Sequence, residues 1–317
     1  LEYKFEIKKF LIGNKEDSNS LAEAYKEIFS DRAKDKIAQA DLVCEHIFDL
    51  LGSGPVKVVN KNIPSTTMSQ KPRAMNYEPI DWHADFKSGY IWDPKTFYRN
   101  IRYGHKEGVD VKVPWELSRF QHLNVLGQAY ILTKDKKYSK EFANQITDWI
   151  KNNPVGFGVN WKCTMDIAIR VANWLVAMEY FSEKNIFSKD FLQEFYTSVY
   201  EHGKFIRSHL EYSPLLTTNH YLSDIAGLFF IAIYCPFFKE SKDWICFCRK
   251  ELENEIQKQV YNDGCNFEAS TSYHRLVLEM FFYCELLGQR AGVEFLSLIH
   301  ISEPTRPLYI SYAVFCL

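Results

Sequence analysis

Two short stretches of this sequence carry groups able to move protons or hold an anion, and each stands at the start of an apolar run. The first is Thr217-Thr218-Asn219-His220-Tyr221-Leu222-Ser223-Asp224, which leads into apolar residues reaching Tyr234. The second runs from Asn262-Asp263-Gly264 through Cys265, Asn266, Phe267, Glu268 and Ser270 to Tyr273-His274-Arg275, and leads into an almost continuously apolar run from Leu276 to Leu287. Asn-Asp-Gly is a turn signal, because Gly accepts positive φ and Asp bonds its local backbone. Both apolar runs read as buried helices, so Asn219, His220, Glu268, Tyr273 and His274 gather at helix entrances. Free N–H groups and the helix dipole favour a negative ligand there. Thr218 or Asn219 equally suits a plain N-cap. Arg119, Arg170, Asp166 and His122 complete the candidate set, and each taken singly reads as well as a surface or structural residue.

Taken together, the set suits β-elimination on a uronic-acid polysaccharide. The C5 proton is weakly acidic, and Asn, His or Arg donors can stabilise the charge developing on the adjacent carboxylate. A base must take that proton and an acid must protonate the leaving O4. Tyr can do either or both, provided that nearby cationic His or Arg lowers its pKa from the ordinary value of about 10. No metal or other cofactor is required by these residues. Two rival readings stand beside this one. A glycoside hydrolase would use paired carboxylates such as Asp166 and Glu268. A non-catalytic glycan-binding module would use Tyr273 and the Trp residues only to hold sugar.

The elements that must position these groups are helices. Hydrophobic residues make up 46% of the 317, enough for a sizeable core. The aromatic share of 16% fits sugar-stacking clefts and fits a large helical core better. A net charge of −2 argues against a nucleic-acid partner. The 8 cysteines follow no metal-ligand spacing. The most apolar run, Ile225 to Phe238, is broken at Pro236 and is too short to span a bilayer.

Periodicity predicts helices over 18–29 and 31–51, the second stopped by Gly52-Ser53-Gly54-Pro55. Residues 53–115 show no lasting period and read either as functional loops or as a segment wrapped on the helical body and anchored by its Trp residues. From Pro114 a regular helical series follows: 115–133, 137–152, 164–181, 188–210, 219–234, 239–261 and 270–289. Apolar and charge-rich helices alternate, which predicts a mainly α fold of stacked helical hairpins, an α/α toroid complete or partial. The chain thus divides into 1–113, N-terminal helices and an irregular wrapping segment; 114–295, the toroid; and 296–317. The last part, containing Leu296-Ser297-Leu298-Ile299-His300-Ile301-Ser302-Glu303-Pro304-Thr305-Arg306, resembles a translated sequencing adapter and is expected to be non-native.

Four motifs in order carry a resemblance to a known family. They are Pro114-Trp115-Glu116-Leu117-Ser118-Arg119; Asn160-Trp161 through Met165-Asp166-Ile167-Ala168-Ile169-Arg170 to Asn173-Trp174; Thr218-Asn219-His220; and Asp263-Gly264 through Phe267-Glu268 to Ser272-Tyr273-His274. Over roughly residues 82–288 the sequence resembles the N-terminal helical part of the heparinase II/III-type polysaccharide lyases, which in turn resemble certain alginate lyases. The resemblance implies an incomplete α/α toroid, followed in the family by a β-sandwich domain that this sequence lacks. It implies that Asn219 neutralises the substrate carboxylate with His220 beside it, and that Tyr273 is the acid, and in syn elimination also the base. Arg119, Arg170, Glu268 and His274 become candidates for binding substrate or positioning Tyr273. It implies an acidic polysaccharide as partner and a periplasmic or secreted location. A further catalytic His, and in some members a metal site, belong to the β domain.

Overall fold

The computed structural model describes residues 9–12, 15–60, 77–261 and 263–295. Asn262 and the adapter-like 296–317 lie outside them. Two helices open the chain, α1 (Lys15–Ile28) and α2 (Ser30–Cys44). Two short antiparallel hairpins follow, β1 (Ile47–Phe48) with β2 (Val56–Lys57), and β3 (Ala84–Asp85) with β4 (Tyr90–Ile91). The helical series is α3 (Lys112–Ser118), α4 (His122–Thr133), α5 (Lys136–Asn152), α6 (Thr164–Glu179), α7 (Lys189–Ser208), α8 (Asn219–Tyr234), α9 (Ser241–Gln259) and α10 (Thr271–Ala291).

Alternation of apolar and charged helices resolves into two layers. Helices α4, α6, α8 and α10 pack side by side as an inner row, while α5, α7 and α9 pair with them from outside. The fold is an incomplete α/α toroid. The central inner helices α6 and α8 are buried almost all round: every residue of α8 except His220 is buried. The charge-rich α9 buries only one face, as expected for a half-solvated helix. Contact between α6 and α8 is close because Gly227 has no side chain. A Cβ there would stand 2.7 Å from the Ala168 Cβ, well inside normal packing distance.

One hydrophobic core runs across residue 113. It joins Ala40, Val43, Ile80 and Trp82 to Leu117, Phe120 and the inner helices. The segment between 77 and 111 is wrapped and anchored. Trp82 and Trp92 are both buried. The buried Asp148 of α5 accepts from Ile80 N and Trp82 Nε1, each at 3.0 Å. Asn160 Nδ2 donates to the Trp82 carbonyl at 2.8 Å.

Two predicted helices are shorter than their periodicity. The helix expected over 31–51 ends at Cys44, where His46 takes φ +58°. The His46 ring is buried with Nε2 2.9 Å from Glu141, so a tertiary contact ends the helix. Gly52 and Gly54 then serve the β1–β2 hairpin and not a helix stop. The helix expected over 115–133 is two helices, broken at Phe120, which takes φ +60°. Phe120 is completely buried, with its ring 4.9 Å from Trp82 and 5.5 Å from Trp174. Burying that ring among aromatics outweighs the cost of roughly 1–2 kcal/mol for a left-handed non-glycine residue.

Candidate functional site

The site is built from the N-termini of α6, α8 and α10 and the loops that enter them. Helix α8 starts where Thr218 leaves the extended conformation and its hydroxyl accepts from His220 N. Helix α10 starts at Ser270, whose hydroxyl accepts from Tyr273 N. Such caps satisfy amides that have no partner within the helix.

The negative ligand favoured by these N-termini is already present as side chains. Glu268, from the loop entering α10, reaches sideways to α8. It accepts from Asn219 N at 3.2 Å and from Asn219 Nδ2 at 2.8 Å and 3.1 Å. Glu211, from the loop entering α8, does the same for α6, accepting from Thr164 N at 2.7 Å and Met165 N at 3.3 Å. Helices α6 and α8 are thus each capped by the loop that enters the next inner helix. The pattern ties the three entrances into a single row.

The second oxygen of Glu211 holds His220 Nδ1 at 2.5 Å. That hydrogen bond raises the His220 pKa above its ordinary value against the opposing effect of burial. Burial pushes the Glu211 carboxyl up, but His220 and the two helix amides outweigh it and hold it low. His220 is therefore favoured as a cation, with Nδ1 committed and Nε2 left for a ligand, and its side chain is 44% exposed. Asn219 lies beside it, nearly buried, with Oδ1 lacking a hydrogen-bond partner. The bonds to Glu268 fix which end of the amide is the donor.

Tyr273 stands in the first turn of α10 and is 46% exposed, so its ring faces solvent. His274, one residue on, serves the turn: its Nδ1 accepts from Asn266 N at 3.3 Å. Buried Asn266 in turn accepts from Glu268 N at 3.0 Å. Across the cleft, Arg119 follows α3 at the break before α4. Its Nε donates to Asp166 at 2.6 Å and its Nη1 to Glu116 at 2.7 Å. These carboxylates hold its pKa up against burial. Beyond it lies a rim of cations and aromatics. Tyr103 packs edge-on against Trp115 with centroids 5.7 Å apart, and Lys162 Nζ lies 5.9 Å from the Tyr103 ring.

Arg170 is a correction to the expected set. It is completely buried, with its guanidinium 4.1 Å from the Trp149 ring, and it donates to His202 Nε2 at 3.0 Å and to the Asn160 carbonyl at 3.2 Å. Position 170 follows Asp166 by one turn but projects into the core, so Arg170 does not reach the cleft. His122 is also interior, bonded to Gln145 at 2.8 Å. The carboxylates of the rival hydrolase reading are both engaged, Asp166 with Arg119 and Glu268 with Asn219. Glu211 was not legible in the sequence. It sits nine residues before His220 in a loop with no periodic pattern, and no local signal marks it.

A groove of about 180 Å³ runs between α6, α8 and α10 and includes Arg119, Met165, Ser223 and Met280. A second depression of about 240 Å³, around His46, Lys137 and Glu141, shares no residue with the helix entrances. The seven cysteines among the described residues are free thiols. No described helix is long and apolar enough to cross a membrane.

Comparison with known proteins places this geometry in a family. A family model described as the heparinase II/III N-terminus matches residues 18–295. A heparin-sulfate lyase of Pedobacter heparinus is 28% identical over 190 residues, which are 58% of this chain and 28% of that protein. One from Bacteroides stercoris is 26% identical over 255 residues, 74% of this chain and 37% of that protein. The crystal structure of a heparan sulfate lyase from Pedobacter heparinus superposes with a TM-score of 0.61 at 23% identity, covering 90% of this chain and 41% of that one. A crystal structure of heparinase III superposes with a TM-score of 0.53 at 18% identity, covering 87% and 42%. The chain spans well under half the length of these relatives. It belongs to the heparinase II/III N-terminal family.

Proposed function

We propose that this chain supplies the helical side of the active site of a polysaccharide lyase that cleaves a uronic-acid-containing glycosaminoglycan by β-elimination. The observation that carries the reading is the row of tied helix entrances. It sets a Glu211-supported His220 cation next to an oriented Asn219 amide, with Tyr273 entering from the next helix. Family membership and the naming of the relatives as heparin-sulfate lyases support the substrate class. A polymer of that kind belongs with a periplasmic or secreted enzyme.

In this reading the uronate carboxylate lies against His220, whose charge stabilises the negative charge developing as the C5 proton leaves, and Asn219 Nδ2 joins it by exchanging a Glu268 oxygen for one of the substrate's. Tyr273 takes that proton as phenolate, the C5 electron pair forms the C4–C5 double bond, and the C4–O4 bond breaks. Tyr273 then returns the proton to O4, giving a hydroxyl on one fragment and an unsaturated uronate on the other. Arg119 and Lys162 offer cationic contacts, and Tyr103 a stacking face, for flanking sugars. Glu268 acts through Asn219, and His274 through the turn that aims Glu268.

The test is ultraviolet absorbance of the unsaturated uronate, followed with heparan sulfate, alginate and a neutral glycan, using the longest reading frame that contains this chain. Absorbance with the glycosaminoglycan and its loss in Tyr273→Phe are expected. New reducing ends without that absorbance would replace the reading with hydrolysis. Binding without either product would reduce it to a glycan-binding module.

A further inference from the structure

We propose that Cys163, Glu211 and His220 form a capture site for a thiophilic divalent cation of the Zn²⁺ class. The three side chains come from the residue before α6, the α7–α8 loop and the first turn of α8, and tertiary structure alone brings them together. One ligand atom from each lies within 4.8 Å of the others. Cys163 Sγ is 3.4 Å from Glu211 Oε1, and Glu211 Oε2 is 2.5 Å from His220 Nδ1. A tetrahedral zinc ion with bonds of about 2.0–2.3 Å spaces its ligand atoms by roughly 3.3–3.8 Å. The ion would therefore enter by parting the Glu211–His220 hydrogen bond by about 1 Å, with little movement of the thiol.

A second observation points to the same place. Asp166 is 2% exposed, and its Oδ1 accepts from Arg119. Its Oδ2 is sealed from solvent with no N–H donor reaching it. The carboxylate lies against the Cys163 thiol, and its charge acts on His220 as well. It is a fourth donor, buried and under-used, beside a thiolate, an imidazole and a carboxylate. That donor set selects zinc-like ions over magnesium or calcium.

Charge balance explains how the site can exist in two forms. With protons on Cys163 and His220, the cationic His220 and Arg119 stand against Asp166, Glu211 and Glu116, one negative charge in excess. When a divalent cation enters, the thiol and the imidazolium each release one proton and the sum is unchanged. The exchange is two protons for one ion, with no change in the net charge of a half-buried site. One consequence rests on the proposed function: the ion takes the nitrogen that holds His220 as a cation, so Zn²⁺ should inhibit elimination.

The experiment titrates this chain with Co²⁺, in a background with Cys246→Ser, Cys265→Ser and Cys316→Ser. One ion per chain is expected, with a thiolate-to-cobalt charge-transfer band, release of close to two protons per ion, and displacement by Zn²⁺. Cys163→Ser should abolish the band. His220→Gln, at a half-exposed position that tolerates change, should weaken binding about 100-fold or more. No band in the parent chain, or a band unchanged in His220→Gln, overturns the proposal. Activity is read separately. A cobalt band with elimination insensitive to Zn²⁺ keeps the cation site and removes the role given to His220. A cobalt band with no elimination under any condition keeps the site and sinks the lyase reading.

Discussion

Asp166 acts on two arginines that live in different worlds. Arg119 is on the rim: its side chain is 22% exposed and pairs with two carboxylates. Arg170 is in a sealed cage of Trp149, Trp161 and His202, with no solvent exposure. Burial drives the Arg170 pKa down to about 9 although Asp166 opposes the shift, whereas the carboxylates beside Arg119 hold its pKa up. In the cage, aromatic faces and neutral acceptors compensate the charge. His202 must be neutral there, since Nε2 accepts from Arg170 while Nδ1–H donates to the Ser198 carbonyl. Burial and the Arg170 charge both lower its pKa. On the rim, charges meet other charges in reach of water and can be re-paired by a ligand. The difference teaches that rim changes should alter chemistry and spare the fold, while cage changes should do the reverse.

The sharpest break in that comparison is Tyr273→Phe. It should lower the rate of unsaturated-uronate formation by about 10²–10⁴-fold, the usual range for losing a general acid–base group. The urea midpoint should be unmoved, because the half-exposed hydroxyl lies outside the core. A large loss of stability would move Tyr273 from the rim to the scaffold. Arg170→Ala is the mirror experiment. It should cost about 3–5 kcal/mol of stability, the range for opening a buried charge network. Chemical denaturation of Arg170→Ala and Arg119→Ala side by side gives the contrast, and an Arg170 variant as stable as the parent would dissolve the cage.

Acid should attack the interior before the rim. His122, largely buried, is held down to about 4, mainly by burial, with its bond to Gln145 opposing. The unfolded chain protonates this residue from about pH 6.5 downward, whereas the folded chain resists until about pH 4. Its contribution is therefore complete above pH 6.5 and is lost as pH falls toward 4, by about 3 kcal/mol at most. His202 acts in the same direction. Urea midpoints at pH 7.5 and pH 5 should show this fall, and His122→Asn should flatten it. The smallest expected effect is Glu268→Gln, which keeps the shape and removes the charge that orients Asn219. A loss of about tenfold in kcat/KM with a near-normal melting temperature is expected. A loss as large as that of Tyr273→Phe would make Glu268 a reacting group.

Local signals made much of this legible. Helix α8 begins and ends where its sequence says, since Thr218 is a good cap and the apolar run stops just before Pro236. The entrance of α10 is equally local, with Ser270 as its cap and Gly264 in the preceding turn at φ +85°. The four motifs in order identified the family. What was not legible depends on distant partners. Phe120 breaks a helix because a cage of tryptophans accepts its ring, and His46 ends one because Glu141 waits across the core.

The sequence by itself determined most of the helices, their alternation into an inner and an outer layer, and the identity of the residues at the two helix entrances. These follow from apolar periodicity and capping chemistry, which act over a few residues. Tertiary structure alone decided which charges face water. It sent Arg170 inward and Arg119 outward, put Glu211 on His220 and Glu268 on Asn219, and set Cys163 beside them. Those outcomes turn on burial and on pairings between separate loops, and neither leaves a mark in the local pattern of the chain.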